Sequence, residues 1–302
     1  MCRLFLFTSR VSLKVQRSLV KAENALQTQS REHPHGWGIS YYLTGQSEPQ
    51  RIRSLESAHT DERFRRVSEF LTSNAVVAHV RKATVGEVSI SNTHPFVYGS
   101  WTFCHNGTLF GFEQFRDEVM DRVSPRFRPL FEGSTDSEGL FYLVLTMLES
   151  AGMDLDSEST EWPAELEAEL GNLLGWLRER CAETGADERE AMMNFVLTNG
   201  RLVLANRFNG GLNFSTQKRR CADRDICPVV DKHCFGPRRK GVRHTHILIA
   251  SDPTSADDIW EEIPNRGYLT VDQDYRIDVR VLEHHHFECL STTLTIEWIT
   301  VR

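Results

Sequence analysis

Hydrophobic positions in the first hundred residues form short runs separated by turn residues, a pattern typical of β-strands. Within Asp61–Ser73 the apolar residues instead recur at helical spacing, which predicts a helix with one buried face. These residues are Phe64, Val67, Phe70 and Leu71. The segment 11–27 is more polar and predicts helix or loop. The predicted strands are Cys2–Thr8, Trp37–Leu43, Asn74–Val80 and Trp101–His105.

Two helices are predicted in the middle of the chain. Ser134–Leu148 opens with Ser-Thr-Asp, residue types that cap helix N-termini, and continues with apolar residues. The stretch from residue 150 to about 189 is acidic, and leucines at helical spacing within it predict a second, amphipathic helix. They are Leu166, Leu170, Leu173, Leu174 and Leu177.

Strands return after the second helix. Asn199-Gly200 is a strong hairpin signal and lies between two of them. Strands, then helices, then strands predict a layered α+β fold with helices packed on sheets. Residues 209–243 show no clear pattern, and we expect an irregular insertion there. The predicted strands are Phe195–Leu197, Leu202–Ala205, Thr245–Ala250, Tyr268–Val271 and Arg276–Leu282.

Composition narrows the class of protein. A chain of 302 residues with 40% hydrophobic content can bury a sizeable core, and a net charge of −7 disfavours nucleic acid and anionic membranes as partners. No apolar run reaches the roughly 18 residues of a membrane span, and the opening segment carries a charge too early for a signal peptide. We therefore expect a cytoplasmic protein. Seven irregularly spaced cysteines predict reduced thiols rather than a disulfide framework.

Cys2 stands directly after Met1, so removal of the methionine would make it a free N-terminal cysteine. Such a residue carries a thiol nucleophile and an α-amine, whose pKa is typically about 7.7–8.0. The amine can take the thiol's proton directly or through one water, so one residue can supply both nucleophile and general base. A cysteine at this position is, taken alone, more often incidental.

Two segments after the third predicted strand carry polar groups suited to acyl transfer. In His79-Val-Arg81-Lys-Ala-Thr84 the arginine offers a planar guanidinium that matches a carboxylate in bidentate fashion. The simpler interpretation is a surface arginine that follows a strand. Asn106-Gly107 comes later, and an Asn-Gly pair after a strand is also an ordinary type I′ turn.

A third segment, Gly133-Ser-Thr-Asp136, places an acidic side chain at the start of a predicted helix. Its simplest role is to cap that helix through Thr135 or Asp136. A carboxylate at a helix N-terminus is electrostatically favoured there, so a capping role and a binding role are compatible.

Cys2 and these segments, in this order, resemble the glutaminase domain of class II glutamine amidotransferases over about residues 2–150. The resemblance implies that Arg81 binds the α-carboxylate of the substrate, with Thr84 as a supporting donor. It also implies that Asp136 pairs with the substrate α-ammonium group. His35-Gly-Trp-Gly38 and Asn92-Thr-His-Pro-Phe96 resemble two segments that shape the pocket in this family.

The same resemblance implies a mechanism and a fold. Cys2 attacks the γ-carbonyl of a glutamine-like substrate, and the Asn106 side chain and the Gly107 N–H form the oxyanion hole. The implied fold is the four-layer αββα sandwich of N-terminal nucleophile hydrolases, formed as one glutaminase-type domain over residues 2–302. No metal or organic cofactor is expected.

The resemblance is closest to compact members without a synthase domain. These include unassigned bacterial amidotransferase-like proteins and hydrolases of γ-glutamyl bonds in ergothioneine synthesis and glutathione breakdown. We expect hydrolysis of a small γ-glutamyl amide or peptide with release of glutamate. Two alternatives stay open. In the first, the chain is a glutaminase subunit that passes ammonia to a separate synthase chain. In the second, it is a non-catalytic interaction protein.

Several residues depart from the family pattern. Lys82 and Val85 stand where large synthases commonly have Trp and His, and His35 stands where an acidic residue is expected. The insertion adds four candidate zinc ligands, but they lack the short Cys-x-x-Cys spacing of common zinc sites. These candidates are Cys221, Cys227, His233 and Cys234.

Overall fold

Two antiparallel sheets form the centre of the molecule. The computed structural model describes residues 2–185, 187, 191–221, 224, 225, 227–230, 234, 235 and 241–282. The first sheet has seven strands, in the order β11 (Asp258–Glu262), β9 (Asn213–Lys218), β10 (His246–Ala250), β1 (Arg3–Lys14), β4 (Thr72–Val80), β2 (Trp37–Tyr42) and β3 (Pro49–Ser54). The second sheet has six strands, in the order β13 (Ile277–Val281), β12 (Gly267–Val271), β8 (Val203–Arg207), β7 (Met192–Thr198), β6 (Trp101–Thr108) and β5 (Phe96–Tyr98).

Helices cover the outer face of each sheet. A π-helical turn at Arg17–Lys21 precedes α1 (Leu26–Gln29), and these pack with α2 (Glu62–Phe70) on the seven-stranded sheet. On the six-stranded sheet lie α3 (Phe112–Arg122), α4 (Asp136–Ser150) and α5 (Leu166–Glu183), with a 3-10 turn at Arg128–Leu130. A third apolar cluster fills the space between the sheets. The layers are helix, sheet, sheet, helix, which confirms the αββα sandwich.

Side-chain alternation along β6 shows how one strand serves two layers. Trp101 and Phe103 pack against the helices, whereas Cys104 packs between the sheets. Successive residues of a strand point to opposite faces, so a central strand needs apolar residues on both. The same rule places Phe5 under the helices and Leu6 between the sheets.

The irregular insertion predicted for residues 209–243 includes a regular strand near its start. Asn213–Lys218 forms β9, which pairs with β10 on one side and β11 on the other. Its sequence, Asn-Phe-Ser-Thr-Gln-Lys, has one apolar residue and shows no alternation. Phe214 nevertheless packs between the sheets. Pairing with two neighbours therefore outweighs a weak local pattern.

Other elements also differ from the prediction. Residues 11–14 extend β1 instead of forming a helix or loop. Helix α2 has Phe64 on its buried face, but Phe70, at its last residue, is 77% exposed. The sequence reading missed α3 and the strands β3, β5, β9 and β11. The hairpin around Asn199-Gly200 is confirmed, with Thr198 paired to Val203. Among the described residues, no helix combines the length and apolar character that crossing a membrane requires.

Candidate active site

A narrow recess opens where the head of β1 meets the end of β4 and the start of α4. Strand pairing makes this junction, because Arg3 lies opposite Val80 and so brings Cys2 beside the residues that follow β4. Five of the six predicted site residues line the recess. They are Cys2, Arg81, Thr84, Gly107 and Asp136.

The Cys2 thiol lies against the backbone of Lys82. Its sulfur accepts a hydrogen bond from the Lys82 N–H at 3.4 Å and lies 3.5 Å from the Lys82 carbonyl oxygen. Burial raises the pKa of the thiol, and the Lys82 N–H and the Arg81 charge only partly oppose this. The thiol is therefore protonated at neutral pH, so a nucleophilic role requires a base close to the sulfur.

Arg81 is buried, with 3% of its surface exposed, yet it has no carboxylate partner among the ion pairs of the described residues. Its guanidinium donates to the carbonyl of Glu87 at 2.9 Å and to that of Val85 at 3.1 Å. Thr84, in the same loop, has its hydroxyl 3.4 Å from that of Thr108. Arg81 is thus a buried cation that also holds the loop in place, and the surface-arginine interpretation is wrong.

Asp136 is the first residue of α4 and is also buried, at 3% exposure. Its carboxylate accepts from the backbone N–H of Leu109 at 2.7 Å and from that of Ser137 at 2.9 Å. Burial raises the pKa of this carboxyl, while His105 and the backbone donors lower it. Thr135 is the helix cap, since its hydroxyl accepts from Glu138 N–H at 3.3 Å. Capping therefore falls to Thr135, and Asp136 faces the recess.

Asn106 and Gly107 lie inside β6 and not in a turn. They pair with Asn194 and Met193 of β7, so the type I′ turn interpretation is wrong. A Cβ at Gly107 would overlap the carbonyl oxygen of Met192, which explains the glycine. The Asn106 side chain points between the sheets, where its Nδ2 donates to the Ser251 hydroxyl at 2.8 Å. Asn106 is the one predicted site residue outside the recess lining.

Three uncharged histidines lie at the recess, with His94 and His105 in its lining, and the sequence analysis assigned none of them a chemical step. His105 Nδ1 lies 2.9 Å from the Ser137 hydroxyl, and His79 Nε2 lies 3.2 Å from the His105 carbonyl. The rings of His79 and His94 are 4.2 Å apart. Burial lowers the pKa of all three, that of His79 to about 3, so they remain neutral.

Two loop contacts complete the frame. Asn92 joins the Arg81 loop to the Asp136 segment, since its Oδ1 accepts from Ser134 N–H at 2.9 Å and its Nδ2 donates to Glu87 O at 3.1 Å. The unexpected His35 accepts from the N–H of Ala83 at 2.9 Å and so supports the same loop.

A Cβ at Gly38 would overlap the carbonyl oxygen of His94, so β2 and the His94 segment meet without a side chain between them.

The candidate zinc ligands lie away from this recess. Cys221, Cys227 and Cys234 line a separate cavity beside β1 and β10, and His233 lies outside the described residues. Within the part of the chain that the structure describes, no three His, Cys, Asp or Glu side chains are grouped so that they could hold a metal ion.

Comparison with known proteins identifies relatives along nearly the whole chain. The family model described as glutamine amidotransferases class-II matches residues 1–293. The probable glutamine amidotransferase DUG3 of Saccharomyces cerevisiae is 25% identical, over 90% of this chain and 82% of its own length. A γ-glutamyl-hercynylcysteine sulfoxide hydrolase of Mycobacterium tuberculosis is 24% identical, over 79% of this chain and 75% of its own.

Solved structures agree on the fold. A glutamine aminotransferase class-II domain protein from Silicibacter pomeroyi superposes with a TM-score of 0.61 at 19% identity, over 93% of this chain and 98% of its own. The glutamine phosphoribosylpyrophosphate amidotransferase of B. subtilis gives a TM-score of 0.56 at 14% identity, and this chain covers 49% of that protein. At these identities the similarity concerns the fold.

Proposed function

Because the chain belongs to the class II glutamine amidotransferases, we propose that it hydrolyses a γ-glutamyl amide or peptide bond through a thioester on Cys2. Relatives in this family are named as glutamine amidotransferases and as γ-glutamyl hydrolases, so the chain is an enzyme of the amidohydrolase type. The observation that carries the proposal is one recess that holds a thiol, a buried guanidinium and a buried carboxylate.

The charges of the recess suit the amino-acid end of glutamine. Arg81 supplies a cation for the α-carboxylate, and Thr84 adds a hydroxyl beside it. Asp136 supplies an anion for the α-ammonium group. A cation and an anion at fixed positions bind the two charged groups of the amino acid and so place its side-chain carbonyl over the sulfur.

The reaction begins when the Cys2 thiol gives its proton to the Cys2 α-amine and the sulfur bonds to the γ-carbonyl carbon. The carbonyl oxygen becomes an oxyanion, which accepts hydrogen bonds from Gly107 N–H and the Asn106 amide. The C–N bond of the substrate then breaks as the protonated α-amine of Cys2 gives its proton to the leaving nitrogen. Water, deprotonated by the same amine, attacks the thioester carbonyl carbon. The C–S bond breaks, glutamate leaves, and the sulfur takes back the proton from the amine. The scheme requires removal of Met1, which an intact mass of active protein tests.

A glutaminase subunit that supplies ammonia to a synthase chain would use the same residues, so substrate preference separates the two functions. The experiment measures glutamate release from glutamine, γ-glutamyl peptides and γ-glutamyl amides, with Cys2→Ala as the inactive variant. Cys221→Ser is the matched control, because Cys221 is a partly exposed cysteine outside the recess. We expect Cys2-dependent release that favours one γ-glutamyl compound over glutamine.

Other outcomes point elsewhere. Release from glutamine alone would favour the ammonia-donating subunit. No release from any compound, together with unchanged cellular activity of Cys2→Ala, would favour the non-catalytic interaction protein and contradict the proposal.

A further inference from the structure

Ser251 follows β10 directly and lies beside the head of β1. Ala250 pairs with Phe5, so the next residues in the ladder are Ser251 and Leu4. The Ser251 N–H donates to the Leu4 carbonyl at 3.1 Å, but the Leu4 N–H donates to the Ser251 hydroxyl, also at 3.1 Å. The Ser251 hydroxyl therefore takes the place of a backbone carbonyl as the acceptor for the N–H of Leu4, two residues after Cys2.

The same hydroxyl reaches across to the second sheet. Its oxygen accepts from Asn106 Nδ2 at 2.8 Å, and Ser251 is only 2% exposed. A hydroxyl oxygen has two acceptor positions, and Leu4 and Asn106 occupy both. One buried oxygen thus joins the strand that carries the proposed nucleophile to the amide proposed for the oxyanion hole.

The surroundings give the Asn106 amide little other support. Its Oδ1 is buried without a hydrogen-bond partner among the described residues. Leu4 and Cys104 belong to the apolar cluster between the sheets. An amide nitrogen carries two hydrogens, so a bond to Ser251 fixes the plane of the group and leaves one N–H for another acceptor.

We infer that Ser251 is a positioning residue for the reaction. It orients the Asn106 amide relative to Cys2, so that the remaining N–H is directed before the oxyanion forms. This inference rests on the proposed function, because it assigns Asn106 the oxyanion. Preorganised donors of this kind stabilise charge that develops in the transition state, so their loss lowers kcat more than it raises KM.

The test is a double-mutant cycle with Ser251→Ala, Asn106→Ala and the double variant, measured as kcat and KM for the best γ-glutamyl substrate. Removing an oxyanion donor typically costs about 10²–10³-fold in kcat, and misorienting it costs less. We expect Ser251→Ala to lower kcat about 10- to 100-fold, with KM within about threefold of wild type. The double variant should match Asn106→Ala, because Ser251 acts through that amide.

Two further variants separate positioning from stability. Ser215→Ala removes another fully buried serine hydroxyl from the same sheet, one that bonds to Gln217 O at 3.0 Å, and should leave kcat unchanged. Ser251→Thr keeps the hydroxyl and should restore most of the rate. Its kcat therefore tests the role of the hydroxyl even if Ser251→Ala folds poorly. Thermal midpoints of all variants are measured in parallel.

Wild-type kcat in Ser251→Ala, or losses in Ser251→Ala and Asn106→Ala that multiply in the double variant, would overturn the inference. Equal loss of kcat in Ser215→Ala would do the same, since it would assign the effect to stability. The proposed function fails differently, namely when wild-type turnover is absent or does not depend on Cys2.

Discussion

The two sides of the recess are built in different ways. On the recognition side, Asp136 accepts from two backbone N–H groups, and Asn92 and Glu138 fasten the loops around it. On the nucleophile side, the Cys2 sulfur has two long contacts to the Lys82 backbone. The first side is fixed by side-chain hydrogen bonds, whereas the second is placed by the pairing of β1. Substrate binding and chemistry should therefore respond to different mutations.

Removing the Asp136 charge should give the largest effect on the recognition side. Asp136→Asn leaves a polar group at the helix start but no anion for the substrate ammonium. Truncating one partner of a buried, hydrogen-bonded charge pair costs about 2–5 kcal/mol. We therefore expect kcat/KM to fall about 10²-fold or more, mainly through KM. Asp117→Asn is the control, because Asp117 is exposed on α3 and does not line the recess.

Acid pH should separate binding from stability. The pKa of Asp136 is raised by burial, so its charge is lost at a higher pH than that of an ordinary aspartate, and KM should rise as the pH falls through this range. Substrate affinity thus falls with the pH, whereas stability should increase. The folded state binds the proton more tightly than the unfolded state, so the wild type gains stability relative to Asp136→Asn until the pH passes below the unfolded pKa. Thermal midpoints of both proteins and KM of the wild type, measured from neutral to acid pH, test both signs. A relative thermal midpoint that falls while KM rises would contradict the prediction.

Asn92 should have an intermediate effect, because it joins the two loops that carry the binding charges. Asn92→Ala leaves the Ser134 N–H without its acceptor and the Glu87 carbonyl with Arg81 as its remaining donor, at a cost of about 1–3 kcal/mol. We expect a lower unfolding free energy and a KM raised about tenfold, with kcat little changed. Asn24→Ala removes an exposed amide contact to Pro253 and should change neither. A fall in kcat alone would contradict the division between the two sides.

The smallest effect is expected at the helix cap. Thr135→Ala removes the hydroxyl that accepts from Glu138 N–H, which costs about 1 kcal/mol of stability. Asp136 keeps its own backbone donors, so KM should rise no more than a few fold. Chemical denaturation measures the cost, and Thr135→Ser should restore it. An increase in KM as large as that of Asp136→Asn would show that the cap, and not the charge, controls binding.

The sequence predicted much of the core but less of its edges. β1, β4 and β6 carry apolar residues on both faces, and these runs predicted the strands. The apolar run and the capping residues likewise predicted α4. The edge strand β3, Pro-Gln-Arg-Ile-Arg-Ser, is largely polar and forms through pairing with β2, which no local pattern records. Asn-Gly in β6 shows the reverse case, where pairing with β7 overrides a strong turn signal.

The candidate site divides in the same way. Cys2, Arg81 and Asp136 stand in motifs whose chemistry can be read from residue type. Asn92 and Ser251 depend on contacts to residues 42 and 145 positions away in the chain, so composition and spacing give no sign of them. The neutrality of the histidines likewise depends on burial, which only the packed layers create.

The close approach of β2 to the His94 segment has a consequence for how this sequence can vary. At Gly38 even the smallest side chain would overlap the His94 carbonyl, and Gly107 meets the same limit at Met192. In a library of all single substitutions, both positions should accept almost no replacement, although Gly38 does not line the recess. Gly38 would therefore resemble a catalytic residue in a mutational scan, yet what it preserves is the distance between two backbones.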